Sequence, residues 1–507
     1  MSSKETRSRM LTQQTGQFKT RHPENGGRIG IGADSMLLQG TVWTFLADAL
    51  MIPTGLLTIA FLARRFGPAA YGLFALAASL VAWIEWGLTS LFTRVTIHLT
   101  ADTRDWEPVA GRLLRWHLAA GVLAMLLLWL LAGPIATLLS EPMLATYLAL
   151  FALDIPLFIL AHGHRNVLTG IGQFRSRAIA GAGRWLSRLF LIVILVESGL
   201  SIPGAIMGNI GASVVELLVC RSYIRPSLLT SSGLSIPLPR SALWLVLSAA
   251  SFSCYTKLDL FALKMLGGST VQAGFYAAAQ NLSILPGIFA HAFSSLLLAS
   301  LNRSLSDGQM DRTKAMAADA MRLAIGLLPM AGLFAGAAAG ITEFCFGAAF
   351  RPAAPLLAIL IFGAMAHVLI GVAMTILTAA GRPAWTFMLT GPLVPLAVAG
   401  YVFLIPRFGL SGPAIVTASL GWLVALASLA AIWYAWGIRL PAGTVVRSLL
   451  LCGLAYVLAG AAPDSGIGLV AALAALSVAL LVVLWLLEGT RDGGVHGLRR
   501  LVSSETR

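Results

Sequence analysis

Runs of about 20 mostly apolar residues follow one another along almost the whole chain, and this pattern constrains the fold more than any single motif. Of the 507 residues, 58% are hydrophobic and only 11% are charged. A helix needs about 20 apolar residues to cross a hydrocarbon core about 30 Å thick. The runs lack polar–apolar alternation, which favours helices over a β-barrel. The sequence therefore predicts an all-α polytopic membrane protein with about 14 transmembrane helices.

Lysine and arginine are distributed unevenly between the two sides that these helices define. Of the 35 such residues, 25 fall in the tails and the even-numbered loops, 4 fall in the opposite loops, and 6 lie within helices. Positive charge accumulates on the cytoplasmic side of membrane proteins, so both termini are predicted to be cytoplasmic. The net charge of +14 follows this topology and forms no single basic face, so no nucleic-acid partner is predicted.

A weak internal repeat divides the chain. The segments FGPAAYGLFALAASL and LGGSTVQAGFYAAAQNL align at Gly72 and Gly274, 202 residues apart. This distance holds six helices, an even number, so the repeats are predicted to be parallel, about an axis along the membrane normal, with a binding cavity between them. The predicted domains are a flexible cytoplasmic tail (1–35), an N-lobe with helices 1–6 (36–222), a cytoplasmic inter-lobe loop (223–240), a C-lobe with helices 7–12 (241–437), helices 13 and 14 (438–488) and a cytoplasmic tail (489–507).

Ionisable residues inside the predicted N-lobe helices mark candidate sites, because charge is costly in a membrane. Four of them are predicted near the middle of helices 1, 2, 4 and 5: Asp48, Glu85, Asp154 and Arg188. Arg184 shares a helix face with Arg188, and Glu216 lies at a similar depth in helix 6. Arg184 and Glu216 are interpreted either as a structural ion pair or as part of a binding site. Arg188 is left freer and can bind phosphate oxygens in bidentate fashion.

The predicted C-lobe carries charges of both signs within its helices. Lys257 and Asp259 are two residues apart, which is about 200° of rotation on a helix, so they are predicted to face different sides. Lys264, near the outer end of the same helix, is expected to snorkel to the membrane surface. Arg322 either snorkels to the cytoplasmic surface or points inward, and the sequence leaves both open.

The sequence lacks the signals of an enzyme or a metalloprotein. No Gly-Lys dipeptide occurs, so a phosphate-binding loop is absent, and energy must come from an ion gradient or from an imbalance of the substrate itself. The four cysteines lie singly in apolar surroundings, and no cluster of His, Cys and carboxylate residues suggests a metal site. No catalytic residue, metal or cofactor is predicted.

Three stretches carry a resemblance to a known family. They are RRFGPAAYGLFALAASL from Arg64, KLDLFALKMLGGSTVQAGFYAAAQNLSILP from Lys257, and a region from Phe346 to Leu420 that contains LTAAGRPAWTFM and LIPRFGLSGPAIVTASL. In their order and spacing they resemble the bacterial polysaccharide or O-antigen flippases. These proteins belong to the multidrug, oligosaccharidyl-lipid and polysaccharide exporter superfamily, together with the lipid II flippase. The resemblance covers about residues 38–440.

The resemblance implies an alternating-access carrier of the bacterial inner membrane. Such a carrier moves an undecaprenyl-pyrophosphate-linked glycan to the outer leaflet for lipopolysaccharide or exopolysaccharide synthesis. Its partners are the lipid-linked glycan and membrane lipids, and contact with other polysaccharide assembly proteins is left open. Coupling to H⁺ or Na⁺ is expected at four carboxylates, the first of which falls where the family carries an acidic residue: Asp259, Asp48, Glu85 and Asp154. The expected cavity cations are Arg188, Arg322, Lys257 and Arg184.

Three other functions were weighed against the flippase prediction. A multidrug cation exporter of the same superfamily would need a cavity dominated by acids and aromatic residues, whereas the cations above favour an anionic cargo. A membrane polysaccharide polymerase or ligase usually needs a sizeable outer loop, and no predicted outer loop exceeds a few residues. A scaffold of a polysaccharide-export complex remains open on the sequence alone.

Overall fold

A computed structural model of the chain describes residues 43–44, 46–103, 105–227, 240–439, 441–463 and 466–489. Every regular element within these ranges is a helix and none is a strand, which confirms the all-α prediction. The predicted N-terminal tail lies outside the described residues, as do most of the predicted inter-lobe loop and of the C-terminal tail.

Six helices form what we call the N-terminal half. They are α1 (Met51–Asp102), α2 (Trp106–Leu138), α3 (Pro142–Phe151), α4 (Asp154–Gly170), α5 (Phe174–Leu195) and α6 (Ser201–Tyr223). α1 is interrupted where Gly67 adopts a φ of 70° and is followed by Pro68, which has no N–H to donate. A π-helical turn, Val196–Leu200, separates α5 from α6, and Gly199 within it has a φ of 94°. Glycine is needed at both breaks because a side chain strains a left-handed backbone.

Ten helices form the C-terminal half, and two more follow it. The ten are α7 (Arg240–Met265), α8 (Thr270–Ser283), α9 (Leu285–Ser306), α10 (Met310–Gly326), α11 (Leu328–Gly336), α12 (Ala338–Phe346), α13 (Ala354–Ala379), α14 (Pro383–Thr390), α15 (Leu393–Phe408) and α16 (Gly412–Trp436). The last two are α17 (Ala442–Gly460) and α18 (Gly466–Gly489). Proline stands in the first turn of several of the shorter helices, at Pro286 in α9 and Pro329 in α11, where it interrupts the ladder of backbone hydrogen bonds.

Within the described ranges, nine helical spans are long and apolar enough to cross a membrane. They establish a polytopic membrane protein. The predicted number of about 14 crossings is not confirmed by them, because the spans and the crossings do not correspond one to one. Three spans of 57, 50 and 54 residues are far longer than the roughly 20 residues that one crossing needs.

The two halves meet where the sequence repeat predicts equivalent segments. Contacts between them run mainly from α1 to α7, α8 and α12. A Cβ atom added at Gly72 would lie 2.1 Å from the carbonyl oxygen of Thr270, and one added at Gly274 would lie 2.0 Å from that of Pro68. The two backbones therefore touch at the aligned glycines. We call this end of the molecule, where α7 ends and α8 begins, the joined end, and the opposite end the far end.

α17 is attached to the C-terminal half through a second pair of glycines. Added Cβ atoms at Gly332 and Gly336 of α11 would each lie 2.2 Å from a carbonyl oxygen of α17, those of Cys452 and Tyr456. Small residues four positions apart allow two membrane helices to approach closely along one face. This contact holds α17 against the C-terminal half. The predicted division of the chain into two lobes stays a prediction.

Candidate functional site

Two carboxylates are buried together inside the N-terminal half. Glu85 of α1 and Asp154 at the start of α4 lie close enough to interact electrostatically, and Asp154 is completely buried. Asn209 of α6 donates a hydrogen bond to Asp154 Oδ2. Oε1 of Glu85 and Oδ1 of Asp154 have no hydrogen-bond partner among the described residues. Sequence reasoning predicted these two acids at similar depth, and the structure makes them neighbours.

A third buried acid of this half, Glu216 of α6, is held by two arginines. Arg184 Nη1 lies 3.3 Å from Glu216 Oε2 and 2.8 Å from Ser213 Oγ, and Arg165 Nη1 lies 3.0 Å from Glu216 Oε1. The guanidinium of Arg184 also stacks over the ring of Phe158 at 4.3 Å. The predicted pair of Arg184 and Glu216 is thus within ion-pair distance. Arg165, assigned to a cytoplasmic loop from the sequence, makes it a triad.

Arg188 lies one helical turn beyond Arg184 and has a different environment. Its side chain is half-buried, and its Nε is shielded without a hydrogen-bond partner in the part of the chain that the structure describes. No ion pair joins it to a described carboxylate, although Asp154 and Glu85 lie close enough to interact electrostatically. Arg188 is therefore a cation inside a spanning helix whose donors remain available.

Asp48 does not belong to the buried acidic group. It lies in the helical segment that precedes α1, its side chain is 52% exposed, and Arg177 Nη2 lies 3.4 Å from Oδ2. The helix continues to the break at Gly67, so residue 48 stands about 28 Å from that break, toward the far end. Its predicted place near the middle of helix 1 stays a prediction, because residues 36–42 lie outside the part of the chain that the structure describes.

Asp259 of α7 is the one buried acid among the described residues of the C-terminal half, and neutral donors surround it. Tyr276 donates its hydroxyl to Oδ2 at 2.7 Å, and the backbone N–H of Leu260 donates to Oδ1 at 2.8 Å. Gln280 Nε2 lies 3.0 and 3.1 Å from the two oxygens. Asp259 is 1% exposed, and no described cation lies within ion-pair distance of it. Its negative charge is stabilised by four hydrogen bonds instead of by a counter-ion.

Lys257 points away from this network, as its position two residues before Asp259 predicts. Its side chain is half-buried, and none of the described residues accepts a hydrogen bond from its ammonium or forms an ion pair with it. The other predicted cavity cation of this half, Arg322, is different. It forms an ion pair with Asp319 at 3.0 Å on its own helix, α10, and both side chains are partly exposed.

An ion pair connects the two halves at the joined end. Lys264 Nζ of α7 lies 2.8 Å from Oε1 of Glu141, which precedes α3, and Thr270 donates its hydroxyl to the same oxygen. Burial alone raises the pKa of the Glu141 carboxyl, but the hydrogen bonds from Lys264 and Thr270 outweigh burial and leave that pKa below its usual value. Lys264 is only 7% exposed at its side chain, so the expectation that it snorkels is wrong.

A second contact at the joined end runs in the opposite direction. Arg64 of α1 donates from Nε to the carbonyl oxygen of Cys345 at 3.1 Å and from Nη2 to that of Phe344. These carbonyls close the C-terminal end of α12, where a cation is favourable because of the helix dipole. We call these two contacts, Lys264 with Glu141 and Arg64 with the end of α12, the clasp.

The acceptor sites of the clasp follow the internal repeat. Glu141 and Glu343 are separated by 202 residues, as are Gly72 and Gly274, and Phe344 comes directly after Glu343. Neither Glu141 nor Arg64 was predicted from the sequence, although the 202-residue distance to Glu343 was a signal that could have found Glu141. No group of three or more His, Cys, Asp or Glu residues that could hold a metal occurs in the described ranges.

Solved structures with a similar fold are membrane transporters. The lipid II flippase MurJ in its inward closed conformation is 13% identical, with a TM-score of 0.64, and the match covers 88% of this chain and 98% of that one. A multidrug resistance MATE family transporter of the MOP superfamily, outward-facing, is 14% identical with a TM-score of 0.54, covering 82% and 96%. The Vibrio cholerae MATE transporter VcmN in the bent form is 15% identical with a TM-score of 0.52, covering 82% and 98%.

These similarities show that the chain has the same fold as these transporters. The sequence model for the family described as "Polysaccharide biosynthesis protein" matches residues 37–297, more than half of the chain. The chain belongs to this family, which confirms the resemblance found in the sequence. A search of curated proteins gives no match.

Proposed function

We propose that this protein is a flippase that moves an undecaprenyl-pyrophosphate-linked oligosaccharide across the bacterial inner membrane by alternating access. Its product would supply the synthesis of a cell-surface or exported polysaccharide, such as lipopolysaccharide. Membership of the polysaccharide biosynthesis family and the transporter fold support the proposal. The observation that carries it is a pair of helical cations, one in each half, for which the structure describes no ion pair. Arg188 lies in a helix long and apolar enough to cross a membrane, and Lys257 lies in α7.

These cations, Arg188 and Lys257, lie at similar depths. Counting 1.5 Å per residue, they stand about 21 and 26 Å from the starts of α5 and α7, both of which begin at the far end. An unpaired cation in a membrane protein is costly and usually serves a ligand. A pyrophosphate that crosses hydrocarbon must have its lost water replaced by such donors. On this proposal both cations face the cavity between the halves and bind the pyrophosphate.

Coupling to an ion gradient is proposed at Asp259. Both oxygens of this carboxylate already accept hydrogen bonds, three of them from the N–H groups of Leu260 and Gln280. Sodium is bound by oxygen lone pairs, and N–H donors at the same oxygens oppose it. A proton needs only one oxygen, so of the two expected ions we favour H⁺ at Asp259. Each charge that crosses is worth about 2.3 kcal/mol per 100 mV.

The adjoining carboxyls of Glu85 and Asp154 are the second proposed proton site. Each has one oxygen without a described donor, and two carboxylates in contact repel each other unless they share a proton. Arg188 lies close to both. Binding of an anionic ligand by Arg188 would remove part of the positive field at this pair and favour its protonation, which connects cargo binding to proton uptake.

The clasp supports the direction of access that we propose. The halves are joined through α1, α7, α8 and α12 at one end, so we expect the proposed cavity between them to open toward the far end. The Lys/Arg distribution in the sequence predicts that the far end is cytoplasmic. A lipid-linked glycan made in the cytoplasm would enter from this side, and the clasp would have to break before release.

Multidrug export is the second candidate, because MATE transporters share the fold. The buried acids Glu85 and Asp154 would suit a cationic cargo. The free cations Arg188 and Lys257 oppose it, since a like charge in the cavity repels such a cargo. Catalysis is not proposed, because the proteins of similar fold are transporters.

Reconstitution tests the proposal. Purified protein is placed in proteoliposomes with a labelled undecaprenyl-pyrophosphate oligosaccharide, and the fraction of glycan open to a membrane-impermeant oxidant is followed under separate proton and sodium gradients. The Arg188→Ala variant should fall to the rate of protein-free vesicles. The Arg312→Ala variant is the matched control, because Arg312 is an exposed arginine that donates to Gln309.

Unchanged transport by the Arg188→Ala variant, with the protein folded and inserted, would contradict its role in phosphate binding. Ethidium efflux measured in the same vesicles distinguishes the second candidate. Efflux that exceeds protein-free vesicles, with no glycan movement, would replace the flippase proposal by cation export.

A further inference from the structure

The guanidinium groups of two exposed arginines at the far end of the C-terminal half lie over tryptophan rings. The guanidinium carbon of Arg382, between α13 and α14, is 4.4 Å from the ring centre of Trp385. That of Arg439, just after α16, is 4.8 Å from the ring centre of Trp433. Distances below about 6 Å are those of cation–π contacts. Neither guanidinium has a hydrogen bond or an ion pair with the residues that the structure describes.

The two stacks belong to one surface. Trp385 contacts the ring of Tyr434 with 5.8 Å between their centres, and Tyr434 is the neighbour of Trp433 in the last turn of α16. Trp433 and Tyr434 are 50% and 77% exposed. Large rings this exposed at the end of a spanning helix are typical of the boundary between hydrocarbon and headgroups. We call these three rings with Arg382 and Arg439 the arginine–aromatic surface.

Stacking fixes what each arginine can bind. A guanidinium that stacks on a ring keeps its N–H groups free in its own plane, where they can match two oxygens of a phosphate. Stacking also holds the side chain in place, so less conformational entropy is lost on binding. A snorkelling arginine that only reaches toward water needs no such ring.

We propose that the arginine–aromatic surface binds the headgroup phosphate of an anionic phospholipid. The rings would lie against the glycerol and upper acyl region, and the two guanidiniums would bind the phosphate oxygens. A headgroup with net negative charge is favoured over a zwitterionic one, because the surface carries two positive charges and no described acid pairs with either. This site is distinct from Arg188 and Lys257 and does not depend on the proposed cargo.

Native mass spectrometry of the intact protein in detergent, titrated with phosphatidylglycerol or phosphatidylcholine, tests the proposal. The unmodified protein should retain phosphatidylglycerol preferentially. The Arg382→Gln/Arg439→Gln variant should bind it about 25-fold more weakly, about fivefold for each arginine. The control Arg303→Gln/Arg312→Gln removes two exposed arginines from the same end and should leave the affinity within about twofold.

A second variant separates the planar fork from charge alone. Arg382→Lys/Arg439→Lys keeps both charges and removes the bidentate geometry, so it should lose most of the affinity for phosphatidylglycerol that the two arginines contribute. Full retention by this variant would overturn the proposed phosphate geometry. Equal binding of the two lipids by the unmodified protein, or equal loss in the control, would overturn the site. Because no glycan is present, these results are independent of the flippase assay.

Discussion

The two halves solve the same problem, a buried negative charge in a membrane, in different ways. In the N-terminal half Glu216 is neutralised by Arg165 and Arg184, at 3.0 and 3.3 Å. In the C-terminal half Asp259 has no counter-ion within that distance among the described residues and relies on four neutral hydrogen bonds. The same fold therefore holds one carboxylate by charge and another by dipoles.

This difference separates a fixed charge from one that can change. Removing the charge of Glu216 would leave two arginines unpaired in a low dielectric, which is costly. Removing the charge of Asp259 leaves neutral donors facing a weaker acceptor, and it leaves no described cation without its partner. A group that must gain and lose a proton in each cycle is better placed in the second kind of environment. The comparison supports our proposal of a structural role for Glu216 and a coupling role for Asp259.

The largest expected effect is from Glu216→Gln. The substitution leaves Arg165 and Arg184 close together without a counter-ion, and a broken buried pair costs about 3–5 kcal/mol. Thermal unfolding of the detergent-solubilised protein should shift strongly downward. Glu343→Gln is the control, since Glu343 is a half-buried glutamate for which no ion pair is described, and it should change little. Equal stability of the two variants would remove the distinction between the two kinds of acid.

Asp259→Asn should destabilise much less, by about 1 kcal/mol, because an amide oxygen still accepts from Tyr276 and Gln280. Its main effect should be on coupling. In proteoliposomes the variant should lose the dependence of glycan movement on the proton gradient and keep slow downhill movement. Gradient-driven transport at the unmodified rate would show that Asp259 takes no part in coupling.

The ion pair of the clasp joins the two halves, so its loss should affect how often they separate more than it affects the free energy of unfolding. Lys264→Met breaks the clasp without disturbing either core, so stability should change by about 1 kcal/mol or less, while the joined end opens about fivefold more often. Spin labels across the joined end, read as distances, measure this change. Leu266→Met, an exposed neighbour at the end of the same helix, is the control. A distance distribution unchanged from the unmodified protein would contradict the gating role.

The smallest expected effect is the pH dependence of the clasp. The pKa of Glu141 is below its usual value, so its contribution is fully present above about pH 4.3 and is lost as pH falls through the lowered value. The same spin-label distances should therefore stay constant from pH 7 to about pH 5 and lengthen only in more acidic solution. Glu141→Gln should abolish this acid transition. A transition near neutral pH would point to another group.

Sequence reasoning located those features that depend on local spacing. The aligned glycines Gly72 and Gly274 were found from a repeat, and the proximity of Arg184 to Glu216 followed from helix depth. Asp259 and Lys257 were correctly assigned to different faces, since two residues on a helix cannot share one.

What the sequence did not reveal depends on contacts between distant segments. Lys264 and Glu141 are 123 positions apart, so no periodicity joins them, and a lysine near a helix end is ordinarily solvated. The number of crossings stays a prediction, because a break such as the one at Gly67 depends on the left-handed backbone of one residue and is not evident from the apolar runs.

The glycine contact at the joined end has a mechanical consequence. Backbone meets backbone at Gly72 and Gly274, with no side chain between these two residues, and we expect the halves to pivot at this contact. From this pivot α1 extends 30 residues to Asp102, a lever about 45 Å long. A turn of only about 5° moves the far end of the lever by about 4 Å. Because neither glycine has a side chain, the molecule has a pivot near one end. A small rotation at this pivot becomes a larger displacement at the opposite end.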